Sequence, residues 1–428
     1  MPEPDPQTLA DLPAPVVAFL TALVDQNAAA ARAAYDAHPE ISTTSLHVAA
    51  VLGRADDVRR HIAEEPARVQ LRIGPMAVDP LLCLCYSPFH GASGESDEGL
   101  LTCARLLLDA GADPATCDAQ YGVPALCAVT GQHNVPAIAE LLIDRGANPN
   151  DGESLFHAAE HCHEEALELL LSRGADPNAT GDWGNTPVHF LLDHWDVADH
   201  PNVARGIRWL LDHGADPDVP SGRDQESALH AAARRGQPPE IVRLLLESGA
   251  DPNARRGSDS LTPWTLARRT AHDALATLLE ETGATPEPLT PADTLLAACA
   301  RGRAEEARAL ATPEVLVTLS PADARLLPEA AASARLEVVR ACMAAGIPVN
   351  TTDQNGATAL HHAAIQGRPA VVRELLAAGA DVGIRDTEHD ATPMGWASFG
   401  AEHVQREGGD YEGVVRALSD PHLHRPAR

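Results

Sequence analysis

Asn355-Gly-Ala-Thr-Ala-Leu-His-His-Ala-Ala-Ile-Gln-Gly367, running on to Leu375-Leu-Ala-Ala-Gly-Ala-Asp381, is one full copy of a phrase that returns along the chain. Its ending recurs as Asp109-Ala-Gly-Ala-Asp113, Arg145-Gly-Ala-Asn148, Arg173-Gly-Ala-Asp176, His213-Gly-Ala-Asp216 and Ser248-Gly-Ala-Asp251. Weaker copies stand at Thr282-Gly-Ala284 and Ala345-Gly-Ile347. The marker glycines 111, 146, 174, 214, 249, 283, 346 and 379 are spaced 35, 28, 40, 35, 34, 63 and 33 residues apart. That beat is close to one period of roughly 33, with one double gap, and implies a repeat architecture. Chains of this kind act through surface rather than through a single pocket.

The residues around each marker define the unit. An apolar run precedes the glycine, as in Leu106-Leu-Leu108, Leu141-Leu-Ile143, Leu169-Leu-Leu171, Trp209-Leu-Leu211 and Leu244-Leu-Leu246. These are the last turns of an amphipathic helix, and the glycine closes it in the left-handed conformation. About two dozen residues earlier stands Thr44-Ser-Leu-His47, Thr186-Pro-Val-His189, Ser227-Ala-Leu-His230, Thr262-Pro-Trp264, Thr358-Ala-Leu-His361 or Thr392-Pro-Met394. Thr or Ser caps a helix well, and Pro fits its first position. The unit is therefore helix, turn, helix, left-handed stop and polar loop.

The phrase resembles the ankyrin repeat, T-P-L-H-x-A-A-x-x-G followed by a leucine-rich helix and G-A-D. The resemblance spans about ten units over roughly residues 41–420 and implies an all-α solenoid of helix-turn-helix units with short β-turn fingers, elongated and curved. The domains expected are an irregular helical cap at 1–40, repeats at 41–284, degenerate then regular repeats at 285–420, and a tail at 421–428. Departures are plain. Asp79-Pro-Leu-Leu-Cys83 replaces the opening phrase in one unit, which also carries a Gly-, Ser- and acid-rich insertion, Ser87 to Gly99, between its helices. The unit near 152–180 is short, and the unit near 182–220 holds extra residues, Trp195 to Val203. Thr285-Pro-Glu-Pro-Leu-Thr-Pro291 suggests a bend or a subdomain break.

Composition narrows the function classes. The formal charge is -29, from 61 acidic against 32 basic residues. Such a chain repels nucleic acid and anionic membranes, which need cations. There is no lysine, and abundant Ala, Gly and Pro point to a GC-rich bacterial genome. No secretory signal and no span of ~18 apolar residues is legible, so a cytoplasmic, monomeric protein is expected. The eight cysteines sit mostly where the unit wants a small apolar residue, Cys299 replacing a motif Ala, and read as buried free thiols.

The search for chemistry is mostly negative: no P-loop lysine, no GxGxxG, no GxSxG and no paired CxxC. No catalytic residue, metal or cofactor is expected. His157 and His161, spaced for one helix face, with Cys162, His163 and Glu164, form one candidate metal or enzymatic centre. The resemblance gives His47, His189, His230 and His361 a structural hydrogen-bonding role. It also implies that partners bind a concave side made of finger tips and exposed residues of the first helix. The matching positions hold Tyr121, Asp182, Trp183, Asn185, His194, Arg234, Arg235, Arg269, Arg301, Asn355 and Gln366. Exposed aromatics at Tyr121 and Trp183 suit an anchor in a protein partner. The arginines suit an acidic segment, unless neighbouring carboxylates already pair them. Three functions stay open: a non-catalytic binding scaffold or inhibitor, a secreted bacterial effector acting on host proteins by binding, and a metal protein or enzyme at His157–His163.

Overall fold

The structure, a computed structural model, describes residues 12–422 apart from 25–26, 75, 93, 182–183, 195–199, 223, 354, 405–407 and 421, and leaves the side chains of Val24, Glu95, His194, Pro321 and His403 undescribed. Helices dominate, and among the described residues pairing between extended segments is limited to isolated bridges such as Cys117–Pro124, Ser221–Glu226 and Thr352–Thr358. These are the bases of the expected fingers.

By its contacts the chain divides into two compact units, residues 1–251 with 256–260, and residues 252–255 with 261–428. In the first unit, helix pairs follow one another: Leu46–Val51 with Ala55–Glu64, Pro80–Cys85 with Gly94–Asp109, Ser154–His161 with Glu164–Ser172, Pro187–His194 with Pro201–Asp212, and Ala228–Arg235 with Pro239–Glu247. Between the second and third of these, Ala125–Cys127 runs into a π-helical turn, Ala128–Gln132, and pairs with Pro136–Asp144. The irregular start is a packed helix pair, Ala14–Val24 with Ala28–Ala37, whose Val16, Phe19 and Leu20 join a core with Val48, Val51 and Ile73. In the second unit the pairs are Pro263–Arg269 with Asp273–Glu281, Pro291–Ala300 with Ala304–Leu310, Leu326–Ala332 with Leu336–Ala344, Ala359–Ile365 with Pro369–Ala377, and Pro393–Phe399 with Tyr411–Leu418. The proline-rich stretch 285–291 lies inside this unit, and Thr290 caps the helix that Pro291 begins.

Each layer is thin and filled by small and branched residues. Ala49, Ala50, Ala231, Ala232, Ala363 and Ala364 of the first helices are wholly buried, which lets neighbouring layers approach closely. Leu107, Leu142, Leu170, Leu210, Leu245, Leu279 and Leu375 of the second helices are buried with them. All eight marker glycines have positive φ, from 82° to 113°. At Gly249 the stop is complete: its N–H meets the carbonyl of Leu246 at 3.1 Å, and Ala250 N–H meets Leu245 at 3.0 Å.

The Ser87–Gly99 insertion is not a free loop. Ser87 Oγ donates to the Val51 carbonyl at 2.7 Å, Phe89 is buried, and residues 94–99 prolong the second helix to 16 residues. In the same repeat Asp79 takes the place of the motif threonine and caps its helix through Leu82 N–H at 2.9 Å.

Candidate functional site

Polar side chains on the fingers and first helices determine what surface the repeats offer. The motif histidines join one repeat to the next. His47 Nε2 donates to the Leu71 carbonyl at 2.9 Å, His189 Nε2 to Glu226 at 3.0 Å, and His361 Nε2 to Ala391 at 3.2 Å. The other ring nitrogen accepts from the N-cap, as His230 Nδ1 does from Ser227 N–H at 3.1 Å and His361 Nδ1 from Thr358 N–H at 3.1 Å. Burial holds the His47 imidazole at about 4, below its usual range, and it lowers His189 and His361 as well. These rings are neutral structural staples.

The fingers owe their shape to carboxylates that the motif search passed over. Asp118 accepts from the backbone N–H of Gln120, Tyr121 and Val123 at 3.0, 2.6 and 3.0 Å. Asp386 does the same for Glu388, His389 and Ala391, and Asp353 for Asn355 and Ala357. The signal was present as an Asp shortly before the finger's turn in each case. Tyr121 thus stands on a preorganised tip, 60% exposed, its hydroxyl accepting from the Gln120 amide at 2.7 Å.

The arginines are engaged within the chain. Arg234 reaches Asp193 at 2.5 Å and Glu226 at 3.2 Å, and Glu226 also takes Arg256 at 2.7 Å. Burial works against charge on Glu226, yet Arg234 and Arg256 hold its carboxyl below the usual range. Arg235 is exposed. In the second unit Arg301 and Arg268 share Asp273 at 2.7 Å each. The exposure expected of Arg269 is corrected. It is buried between Asp293 at 2.9 Å and Asp323 at 2.6 Å, because both carboxylates cap nearby helices, Asp293 buried and Asp323 largely covered.

Among the remaining candidates, Asn185 is half-buried, with its carbonyl accepting from Gly181 N–H at 3.0 Å. Asn355 donates to Glu388 at 3.1 Å, and Gln366 is half-buried at the end of its helix. Asp182, Trp183 and the side chain of His194 lie outside the described residues.

The histidine cluster takes a different form from a ligand set. His157 is clamped between Glu153 at 3.2 Å and Glu160 at 2.7 Å, one on each ring nitrogen. Burial opposes its charge, but the two carboxylates prevail and raise the imidazole to about 9. A ring held in this way has no lone pair for a metal. His163 Nδ1 donates to the Thr130 carbonyl at 2.9 Å, and its ring faces His161 at 5.4 Å. Glu160, His161 and His200 line one small cavity of about 150 Å³. Among the described residues no three His, Cys, Asp or Glu side chains are placed to hold a metal ion.

The family model for ankyrin repeats in sets of three copies matches residues 89–181, 179–256, 295–386 and 327–406. The chain belongs to the ankyrin repeat family. Its repeats resemble those of the human ASB11 ankyrin repeat domain, a solved structure 23% identical over 56% of this chain and 99% of that one, with a TM-score of 0.42. A comparison with curated proteins returned no match. Ankyrin repeats generally mediate protein–protein interaction, and the fold is typically a non-enzymatic scaffold. No described helix of this ankyrin chain is long and apolar enough to cross a membrane.

Proposed function

We propose that this protein is a non-catalytic scaffold or inhibitor that binds a partner protein on the surface made by its fingers and first helices. The observation that carries the reading is Tyr121. A large aromatic ring is left in water on a tip that Asp118 has already ordered, so a partner would bury it with little loss of conformational freedom. Asp182, Trp183, Asn185, His194 and Arg235 belong to the same proposed surface of the first unit, and Asn355 and Gln366 to that of the second. Arg234, Arg269 and Arg301 serve that surface as shape, since their charge is met by Asp193, Asp293, Asp323 and Asp273. This pairing weakens the case for an acidic segment on the partner and leaves Arg235 as its main support. A secreted effector would use the same binding physics. The enzymatic reading of His157–His163 has the weaker support, because Glu153 and Glu160 occupy both nitrogens of its first ring.

The test is to isolate the partner by affinity capture and titrate it against the parent, Tyr121→Ala and Arg235→Glu. Tyr121→Ala is expected to fold normally and lose about 2 kcal/mol of affinity or more. Unchanged affinity in a folded Tyr121→Ala variant would move the site away from the fingers.

A further inference from the structure

Four residues after its marker glycine, one repeat after another carries an amide: Asn150, Asn178, Asn253 and Asn350. That amide ties its repeat to the next. Asn150 Oδ1 accepts from Asp176 N–H at 2.8 Å, while its Nδ2 donates to the Gly174 carbonyl at 2.9 Å. Asn178 does the same for Asp216 at 2.7 Å and Gly214 at 2.9 Å, and Asn253 for Thr285 at 2.8 Å and Gly283 at 3.0 Å. Asn350 Oδ1 accepts from Asp381 N–H at 2.9 Å. An amide suits this place because it carries an acceptor and a donor side by side. It can therefore serve both an N–H and a C=O of the following helix stop.

Asp218 holds this place in the repeat that ends at Gly214. It keeps one half of the link, since Asp251 N–H lies 3.2 and 2.9 Å from its two oxygens. The other half needs a hydrogen, and an ionised carboxylate has none to give. The register of the neighbouring repeats puts the Gly249 carbonyl where Gly174, Gly214 and Gly283 receive theirs, so at Asp218 acceptor faces acceptor. The charged groups that face it are also carboxylates, Asp216 of its own turn and Asp251 of the next repeat, and Asn178 of the preceding repeat is neutral. Burial pushes the Asp218 carboxyl up. The Asp251 N–H opposes this, and the two neighbouring charges add to it.

We propose that Asp218 makes the joint between these two repeats proton-operated: half-tied at neutral pH, and fully tied when Asp218 takes a proton from solvent and donates it to the Gly249 carbonyl. The neutral acid then offers the donor and acceptor that asparagine offers in other repeats. A carboxyl whose folded value lies above the unfolded one binds more protons in the folded chain. Its protonation therefore adds stability as pH falls towards the ordinary value of 3.8, the opposite of Asp386. Ser221 and Glu226 pair at the base of a finger just beyond Asp218, so that finger shares the freedom of the joint. A local opening here needs less free energy than unfolding of the repeats around it.

The experiment follows amide hydrogen exchange of the folded full-length chain in 1 M salt, where the Debye length is about 3 Å and only contacting charges act. Protection factors are compared for the parent, Asp218→Asn, Asn178→Asp and Glu168→Gln at pH 7 and pH 4. At pH 7 Asp218→Asn is expected to raise the protection of the Ala250 and Asp251 amides about fivefold, the size of one added hydrogen bond. That gain should fall away at pH 4, where the parent's own acid supplies the donor. Asn178→Asp should transplant the defect, so that the Asp216 amide exchanges about fivefold faster at pH 7 and recovers at pH 4. Glu168→Gln removes one exposed charge in mid-helix and should alter none of these amides. Equal protection in the parent and Asp218→Asn at pH 7 overturns the proposal. So does a gain that is the same at pH 4, an Asn178→Asp variant that exchanges like the parent, or a Glu168→Gln variant that reproduces the gain.

Discussion

A single backbone conformation ends each leucine-rich helix, and Gly249 shows what it demands. Its φ is +96°, and a Cβ added there would meet nothing within 4 Å. The cost of a larger residue is thus conformational rather than steric, since side chains disfavour the left-handed region by roughly 1–2 kcal/mol. Gly249→Val should lower the stability of its repeat by about that amount in urea titrations, and a superimposable unfolding curve would show that the stop is not needed. A second residue-scale device is the finger carboxylate. At Asp386 burial works against the charge, but hydrogen bonds from His389, Trp396, Ala391 and Glu388 overcome it and bring the carboxyl down to about 2. A carboxyl depressed in the folded state binds fewer protons there than in the unfolded chain. Its stabilisation is therefore complete above the ordinary value near 3.8 and is lost as pH falls towards 2. Asp386→Asn should be less stable than the parent at pH 7, and the gap between them should narrow between pH 4 and 2. A gap that stays constant with pH would separate the finger's stability from this charge.

Between helices, ion pairs do work that the motif assigns to exposed variable positions. Arg269 joins three elements of the second unit: its own helix, Asp293 at the start of the next, and Asp323 in the single-turn helix that follows. The two carboxylates are hidden with it. Removing the guanidinium would strand the buried charge of Asp293 and the largely covered charge of Asp323, a change that typically costs about 3–5 kcal/mol. Arg269→Ala is therefore expected to unfold far more readily than the parent, whereas the exposed Arg235→Ala should be nearly neutral. Equal melting temperatures for the two variants would contradict this division. The insertion at 87–99, which the sequence places between the two helices of its unit, makes a similar point. Ser87 and Phe89 found partners in the preceding repeat and the acidic half continued a helix.

For the molecule as a whole the main physical fact is charge. With a formal -29 and a pI near 4.9, the folded chain repels itself at neutral pH. Salt screens that repulsion, with a Debye length of about 10 Å at 0.1 M. Raising salt at pH 7 should therefore raise the melting temperature, and the gain should shrink near pH 5, where the net charge is small. A melting temperature that falls with salt at pH 7 would mean that the ion pairs of the interior outweigh the surface field.

The sequence by itself determined the repeat, its helix pairs and the left-handed stops, all of which depend on residues a few positions apart, and the resemblance of its motif implied the histidine staples between repeats. Thr358 and Gly379 carry their roles in local hydrogen bonds and local φ, so a linear pattern suffices to read them. It also determined the family, because the same recurring positions define it. Only the tertiary structure decided which polar residues are free. Arg234 meets Asp193, 41 positions away, and Arg269 meets Asp323, 54 positions away. Neither partner is marked by the motif that places the arginine. Stacking one repeat on the next makes such neighbours. Pairing of charge depends on distance in space, whereas a repeat motif records only distance along the chain.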